Sequence, residues 1–110
     1  MILCQAATPL CLGPALAGAI GTLSHLARTG LGTHINSPWV LPGWNGYLTL
    51  ELINSGPAFL RIHRGMPVAR LLLFRTSGSV AEPIPHRYYG ADGRLGSRYA
   101  DEFPADTYRR

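Results

Sequence analysis

Apolar and polar positions alternate most clearly over residues 47–53, where Leu48, Leu50 and Leu52 fall on one side of an extended chain and Tyr47, Thr49, Glu51 and Ile53 on the other. This spacing predicts a half-buried strand. Phe59 to His63 alternates in the same way, with Leu60 and Ile62 opposed to Arg61 and His63, and predicts another. Val68 to Phe74 is apolar at every position but Arg70, the pattern of a central strand. Shorter runs at Ile2 to Cys4 and Leu10 to Leu12 read as strand ends around a turn at Thr8-Pro9, and Thr33-His34-Ile35 as a further short strand. The small residues from Pro14 to Ile20 predict a buried connection, and residues 22–29 one or two helical turns closed by Gly30. Turn chemistry fills the rest, at Asn36 to Gly46, Asn54-Ser55-Gly56-Pro57 and Arg64-Gly65-Met66-Pro67.

Composition sharpens this into a fold class. Gly and Pro make up 22 of 110 residues without a period, which favours short strands and tight turns over a helical bundle. With 46% hydrophobic side chains, the length suits one mainly β domain and argues against disorder. Its core is expected in residues 1–75. From residue 76 a polar tail begins, in which charges are frequent and Tyr recurs at 88, 89 and 99. No internal repeat is present.

Charge and cysteine usage exclude several classes. Ten Arg against six acids give a net charge of +4, with no Lys, a usage that reads as codon bias. Arg28 is the one charged residue among the first fifty, so no basic stripe is visible there, a nucleic-acid reading would have to lean on the Arg-rich second half, and no nucleic-acid partner is expected. Cys4 and Cys11 are too few for a disulfide scaffold and match no zinc spacing. Residues 1–20 are apolar, yet they lack a basic leader and are interrupted by Gln5, Pro9 and Pro14. They therefore read as neither a secretory signal nor a membrane span, and a cytoplasmic protein without a membrane partner is expected.

The candidate chemistry rests on few residues. Glu51 is the only carboxylate in the first 81 positions, and Arg28 the only Arg before Arg61. A lone acid in a strand is either a solvated outer-face residue or, if buried, a candidate general base. Pairing of these two isolated charges is one way to hold either below the surface. Ser24 suits a helix N-cap or a site; His34 and His63 suit packing or the surface; Trp44 suits the anchoring of a turn.

In order, the chain carries Ser24-His25-Leu26-Ala27-Arg28-Thr29-Gly30-Leu31, His34, Pro42-Gly43-Trp44-Asn45-Gly46, Leu50-Glu51-Leu52-Ile53-Asn54-Ser55-Gly56 and Gly65-Met66. This series resembles the central block of the dCTP deaminase family, within the dUTPase superfamily, over most of residues 2–75. Tyr89-Gly90 and Gly96-Ser97-Arg98-Tyr99 are more weakly similar to its closing segment. The resemblance implies a distorted β-barrel, starting partway through the family's fold, that assembles as a homotrimer with nucleotide sites between subunits and a tail over the triphosphate. The implied reaction turns dCTP and water into dUTP and ammonia. Glu51 falls on the family's catalytic glutamate, with Ser24 and Arg28 on the residues that place the water and hold the glutamate ionised. Mg²⁺ would arrive with the triphosphate, and no zinc is implied, since the chain has neither H-x-E nor P-C-x-x-C.

The same resemblance places substrate contacts at Leu23, His25, Leu41, Thr49, Leu50 and Arg70, and at Tyr89, Arg98 and Glu102 in the tail. Several depart from the family's pattern. Leu23 replaces an Arg, His25 a second Ser, Arg70 a Gln and Glu102 a Gln. Leu41 stands where an Asp binds the sugar hydroxyl and, in dUTPases, organises the hydrolytic water, so the product expected is dUTP. The alternative is a non-catalytic oligomeric β-domain of the same fold.

Overall fold

The computed structural model describes residues 1–34 and 36–81. Along them run eight strands and one helical turn: β1 (Ile2–Gln5), β2 (Leu10–Cys11), β3 (Leu16–Thr22), α1 (Ser24–Ala27), β4 (Leu31–Thr33), β5 (Trp39–Val40), β6 (Asn45–Gly46), β7 (Thr49–Asn54) and β8 (Ala69–Arg75). Every pairing is antiparallel, in three sheets ordered β1-β7-β4, β2-β6 and β5-β3-β8. The expected mainly β class is what is found, although among the described residues the sheets do not close into a barrel. The tail contacts expected at Tyr89, Arg98 and Glu102 lie outside the described residues.

β7 behaves as its alternation predicts. Leu50 and Leu52 are buried, at 9% and 1% exposure, while Thr49, Glu51 and Ile53 are half-buried on the other face. β1 pairs along one side with Leu3 opposite Glu51, and β4 along the other with Thr33 opposite Leu52. Leu50 and Leu52 join Leu12, Ile20, Leu31, Val40, Trp44 and Val68 in one apolar core. Trp44 anchors its turn as expected: it is buried, and its indole N–H donates to the Gly46 carbonyl at 3.2 Å.

Four expectations are corrected. The small residues read as a connection form most of β3, the middle strand of its sheet, because small side chains let β5 and β8 close on it from both sides. At Gly18 a Cβ would stand 2.8 Å from Leu71 Cδ1 and 3.3 Å from Val40 Cβ. β8 is an edge strand rather than a central one, and Leu72, Leu73 and Phe74 remain exposed. Residues 59–63 form no strand. Leu60 and Ile62 do pack on the core while Phe59, Arg61 and His63 face outward, but among the described residues no neighbouring strand receives their backbone. Finally, β4 stops at Thr33, because His34 turns into the left-handed region at φ 53°.

The helical turn is tied to β7 by a close backbone contact. Gly30, at φ 95°, ends α1 and accepts a hydrogen bond from the Ser55 N–H at 2.9 Å, and a Cβ added to it would collide with the Gly56 nitrogen. Gly65 has a similar φ of 79°, but a Cβ added there would meet nothing within 4 Å, so it isolates the conformational cost alone. Gly65→Ala is expected to lose about 1–2 kcal/mol, and Gly30→Ala about 3 kcal/mol or more, because the collision adds to the strain. Urea denaturation of the two variants checks this; equal losses would show that the Gly30–Gly56 approach carries no weight.

Candidate active site

Strand geometry alone fixes where Glu51 points. With Leu50 and Leu52 committed to the core, the side chain between them emerges from the opposite face, where it is 36% exposed. It is the only carboxylate side chain among the described residues. Both open readings are therefore partly met, since the carboxylate reaches solvent from a floor of packed strands.

Its neighbour is a residue that the sequence does not mark for a site. His34 Nδ1 lies 4.0 Å from Glu51 Oε2, and the His34 side chain is only 9% exposed. The backbone holds the two together, because the His34 N–H donates to the Glu51 carbonyl at 3.1 Å, one step beyond the β4–β7 pairing. His34 Nδ1 is buried without a hydrogen-bond partner. Burial pushes the imidazole below its ordinary range, and the Glu51 charge offsets part of that. No periodicity in the sequence singles out this histidine, which follows a three-residue strand and carries the one positive φ outside glycine among the described residues.

Arg28 is not the partner of Glu51 within the chain, as its isolation suggests, since the carboxylate's ion-pair contact among the described residues is His34. α1 packs against β4 and ends in Arg28, whose residue is exposed, as is Ser24. Ser24 is the first helical residue and Leu23 the N-cap, so the serine does not cap the helix. One short helix thus presents Ser24, His25 and Arg28 to solvent.

The other expected contact residues are scattered. Thr49 shares the outward face of β7 with Glu51, whereas Leu50 faces the core. Leu41 follows β5 and is 39% exposed; Leu23 is half-buried; Arg70 is exposed on β8. Arg70 and Leu50 border a trough of about 1000 Å³ between the sheets, lined also by Ile20, Leu48, Ile62 and Val68. The trough and the carboxylate lie on opposite faces of β7. No acid lines the trough, whereas the candidate general base lies on the other face. Among the described residues no three His, Cys, Asp or Glu side chains gather as metal ligands, and no helix is long and apolar enough to cross a membrane.

Comparison with known proteins adds a family. The dCTP deaminase-like family matches residues 1–76. A protein of Acidothermus cellulolyticus named "dCTP deaminase, dUMP-forming" is 40% identical over 76 residues, 69% of this chain and 40% of its own length. Proteins of the same name from Corynebacterium glutamicum (strain R) and Methanopyrus kandleri are 40% and 33% identical over 84 and 94 residues, which are 76% and 86% of this chain and 41% and 45% of theirs. The chain thus spans less than half the length of these relatives.

The buried imidazole predicts a pH dependence of stability. Because the folded pKa of His34 lies below its unfolded value, the unfolded chain binds more protons between the two, and stability falls as pH drops from about 6.5 through that window. Comparing denaturation midpoints at neutral and mildly acid pH checks it. His34→Asn, which tolerates positive φ and does not titrate, is expected to flatten this part of the profile; an unchanged profile would contradict the burial of a neutral ring.

Proposed function

We propose a function on one premise: the chain belongs to the dCTP deaminase-like family. The reading is hydrolytic deamination of dCTP, carried by Glu51, and its single strongest support is the placement of the only described carboxylate on the solvent-reaching face of a doubly paired strand. A general base must reach water, yet be held still. Glu51 meets both needs.

In this mechanism the Glu51 carboxylate takes a proton from a water molecule as the water oxygen attacks C4 of the cytosine ring. The carboxylic acid so formed returns the proton to the ring nitrogen, and a second transfer carries a proton to the departing amine, so that ammonia leaves and the uracil carbonyl forms. Ser24 and Arg28 would orient the water and offset charge, from α1 of the same chain or of a neighbouring copy. The triphosphate brings its own Mg²⁺ as part of the substrate. The described residues supply no ligand group for a resident metal, and no step here passes through one.

The product is proposed to be dUTP, since Leu41, apolar and 39% exposed, has no group to orient a water toward the phosphates. The relatives' name, dUMP-forming, favours a different product reading, in which the phosphate chain is also cut. Purified protein incubated with dCTP and Mg²⁺, with dCTP, dUTP and dUMP resolved over time, decides between them. Accumulation of dUTP is expected, and Glu51→Gln should slow it by about 10²–10⁴-fold or more. Undiminished turnover by that variant would remove Glu51 from the mechanism, and dUMP as the first product would give Leu41's position no veto over hydrolysis.

Self-association as a homotrimer belongs to the same proposal. Cross-strand partners share a face, so Phe74 lies beside Ala17, while Leu72 and Trp39 flank Ala19, on the outer side of the β5-β3-β8 sheet. Trp39 is 69% exposed, and Leu72 and Phe74 about half exposed. An apolar patch on a sheet with two free edges favours association. Sedimentation at micromolar concentration is expected to show trimers, dissociated by Trp39→Glu; a folded monomer would overturn the assembly.

A further inference from the structure

We infer that His34 is a positioning residue for Glu51: its Nδ1–H holds one carboxylate oxygen and leaves the other free to face a bound water. The inference rests on the reading of Glu51 as the reacting base and goes beyond it by naming what aims that base.

Three observations of different kinds converge on the ring. His34 occupies a left-handed backbone conformation at φ 53°, which costs a residue with a Cβ about 1–2 kcal/mol. Such a conformation persists only where its surroundings impose it. Here two restraints are visible. The Thr33 N–H donates to Thr22 Oγ1 at 2.7 Å, and the His34 N–H donates to the Glu51 carbonyl at 3.1 Å. Secondly, the turn delivers the ring beside the carboxylate of the very residue whose backbone holds it. Thirdly, Nδ1 is buried without a partner, and an unmet buried donor or acceptor costs about 1–3 kcal/mol.

The last of these costs is removed by one small movement. The separation of 4.0 Å is too long for a hydrogen bond, but the Glu51 side chain is 36% exposed and has room to turn toward the ring. Catalytic hydrogen bonds are often long in unliganded proteins and tighten when substrate binds. Closing by about 1 Å satisfies Nδ1 and leaves the second carboxylate oxygen on the solvent side. Among the described residues Glu51, from β7, is the one charged group that any strand or turn brings within ion-pair distance of the ring. Burial favours the neutral ring, and in that state a single Nδ1–H is what the carboxylate needs. Protonation at acid pH would lock the two into a full ion pair and pull Glu51 from its water.

The test separates donor, backbone and base. Proton NMR of the full chain follows the His34 ring through a pH titration, its signal assigned by its loss in His34→Asn. Glu51→Gln is expected to move the His34 midpoint to lower pH, because the charge that stabilises the imidazolium is gone. An unmoved midpoint overturns the inference, whatever the catalytic activity. In the deamination assay, His34→Gly keeps positive φ accessible but loses the donor, and is expected to lower kcat about 10- to 100-fold with little change in KM. His34→Asn keeps both an N–H donor near the Nδ1 position and tolerance of positive φ, and should recover most of that loss. Equal rates in the Gly variant and the parent, or no difference between Gly and Asn, would also overturn it. A parent chain that deaminates nothing refutes the proposed activity instead, and the titration then still decides whether His34 and Glu51 are coupled.

Discussion

The register of β7 is the constraint on which the rest depends. Leu52, 1% exposed, and Leu50 beside it anchor one face of the strand, and slipping the register by one residue would exchange them for Glu51. That exchange would put an unpaired carboxylate into an apolar core, at a cost of several kcal/mol, while two leucines went to the surface. Pairing on both sides makes slippage dearer still, since β1 and β4 would lose their partners with it. The position of the acid is therefore a consequence of the hydrophobic pattern around it.

From that anchor the neighbouring elements are placed by short backbone contacts rather than by ion pairs. Gly30 meets Gly56 at the end of β7, which seats the α1 turn beside β4; Thr33 grips Thr22, which joins β4 to the β5-β3-β8 sheet; and His34 returns to the Glu51 carbonyl. Each contact joins residues far apart in sequence or requires a glycine at a particular point. Asn54 adds a local one, its side chain accepting from the Gly56 N–H at 3.0 Å and donating to the Ala58 carbonyl at 2.8 Å. The segment Asn54-Ser55-Gly56 is thus needed for shape, and it adjoins the acid because both belong to β7 and its exit turn.

Much of this is legible in the sequence, and the failures have physical causes. The alternation of residues 47–53 and the helical turn closed by Gly30 depend on local pattern, and both are found. Strand identity at 16–22 and 59–63 depends on whether a neighbour exists to pair with, which no local pattern records. The first has partners on both sides in spite of its alanines and glycines; the second lacks one in spite of its correct in–out alternation. The apolar run of β8 misleads for a related reason, since apolar side chains at a sheet edge look identical to buried ones until the sheet order is known. For the candidate site, the motif order points to Glu51, Ser24 and Arg28, which the structure places on β7 and at the exposed α1 turn. His34 is among the residues that carry the resemblance, but it escapes notice as a site residue because its relation to Glu51 runs through a left-handed turn across two strands.

Electrostatics of the whole chain bears on what the acid's surroundings would attract. Residues 1–81 carry five Arg against Glu51 alone, whereas residues 82–110 carry five Arg against five acids, so the entire excess of +4 lies in the part that holds the site. None of these five arginines is spent on Glu51, whose contact is a histidine held toward its neutral form. In the deamination we propose, a positively biased domain with its one carboxylate left unmatched by arginine would suit a polyanionic substrate, which brings the negative charge that the arginines lack. It is poorly suited to a cationic one, which the same five arginines would repel and a single carboxylate would not hold. In the positioning role we infer, the histidine would resolve the remaining conflict: an arginine beside Glu51 would hold both carboxylate oxygens in a fork, while one imidazole N–H, once the 4.0 Å gap closes, would occupy a single oxygen and leave the other to the water.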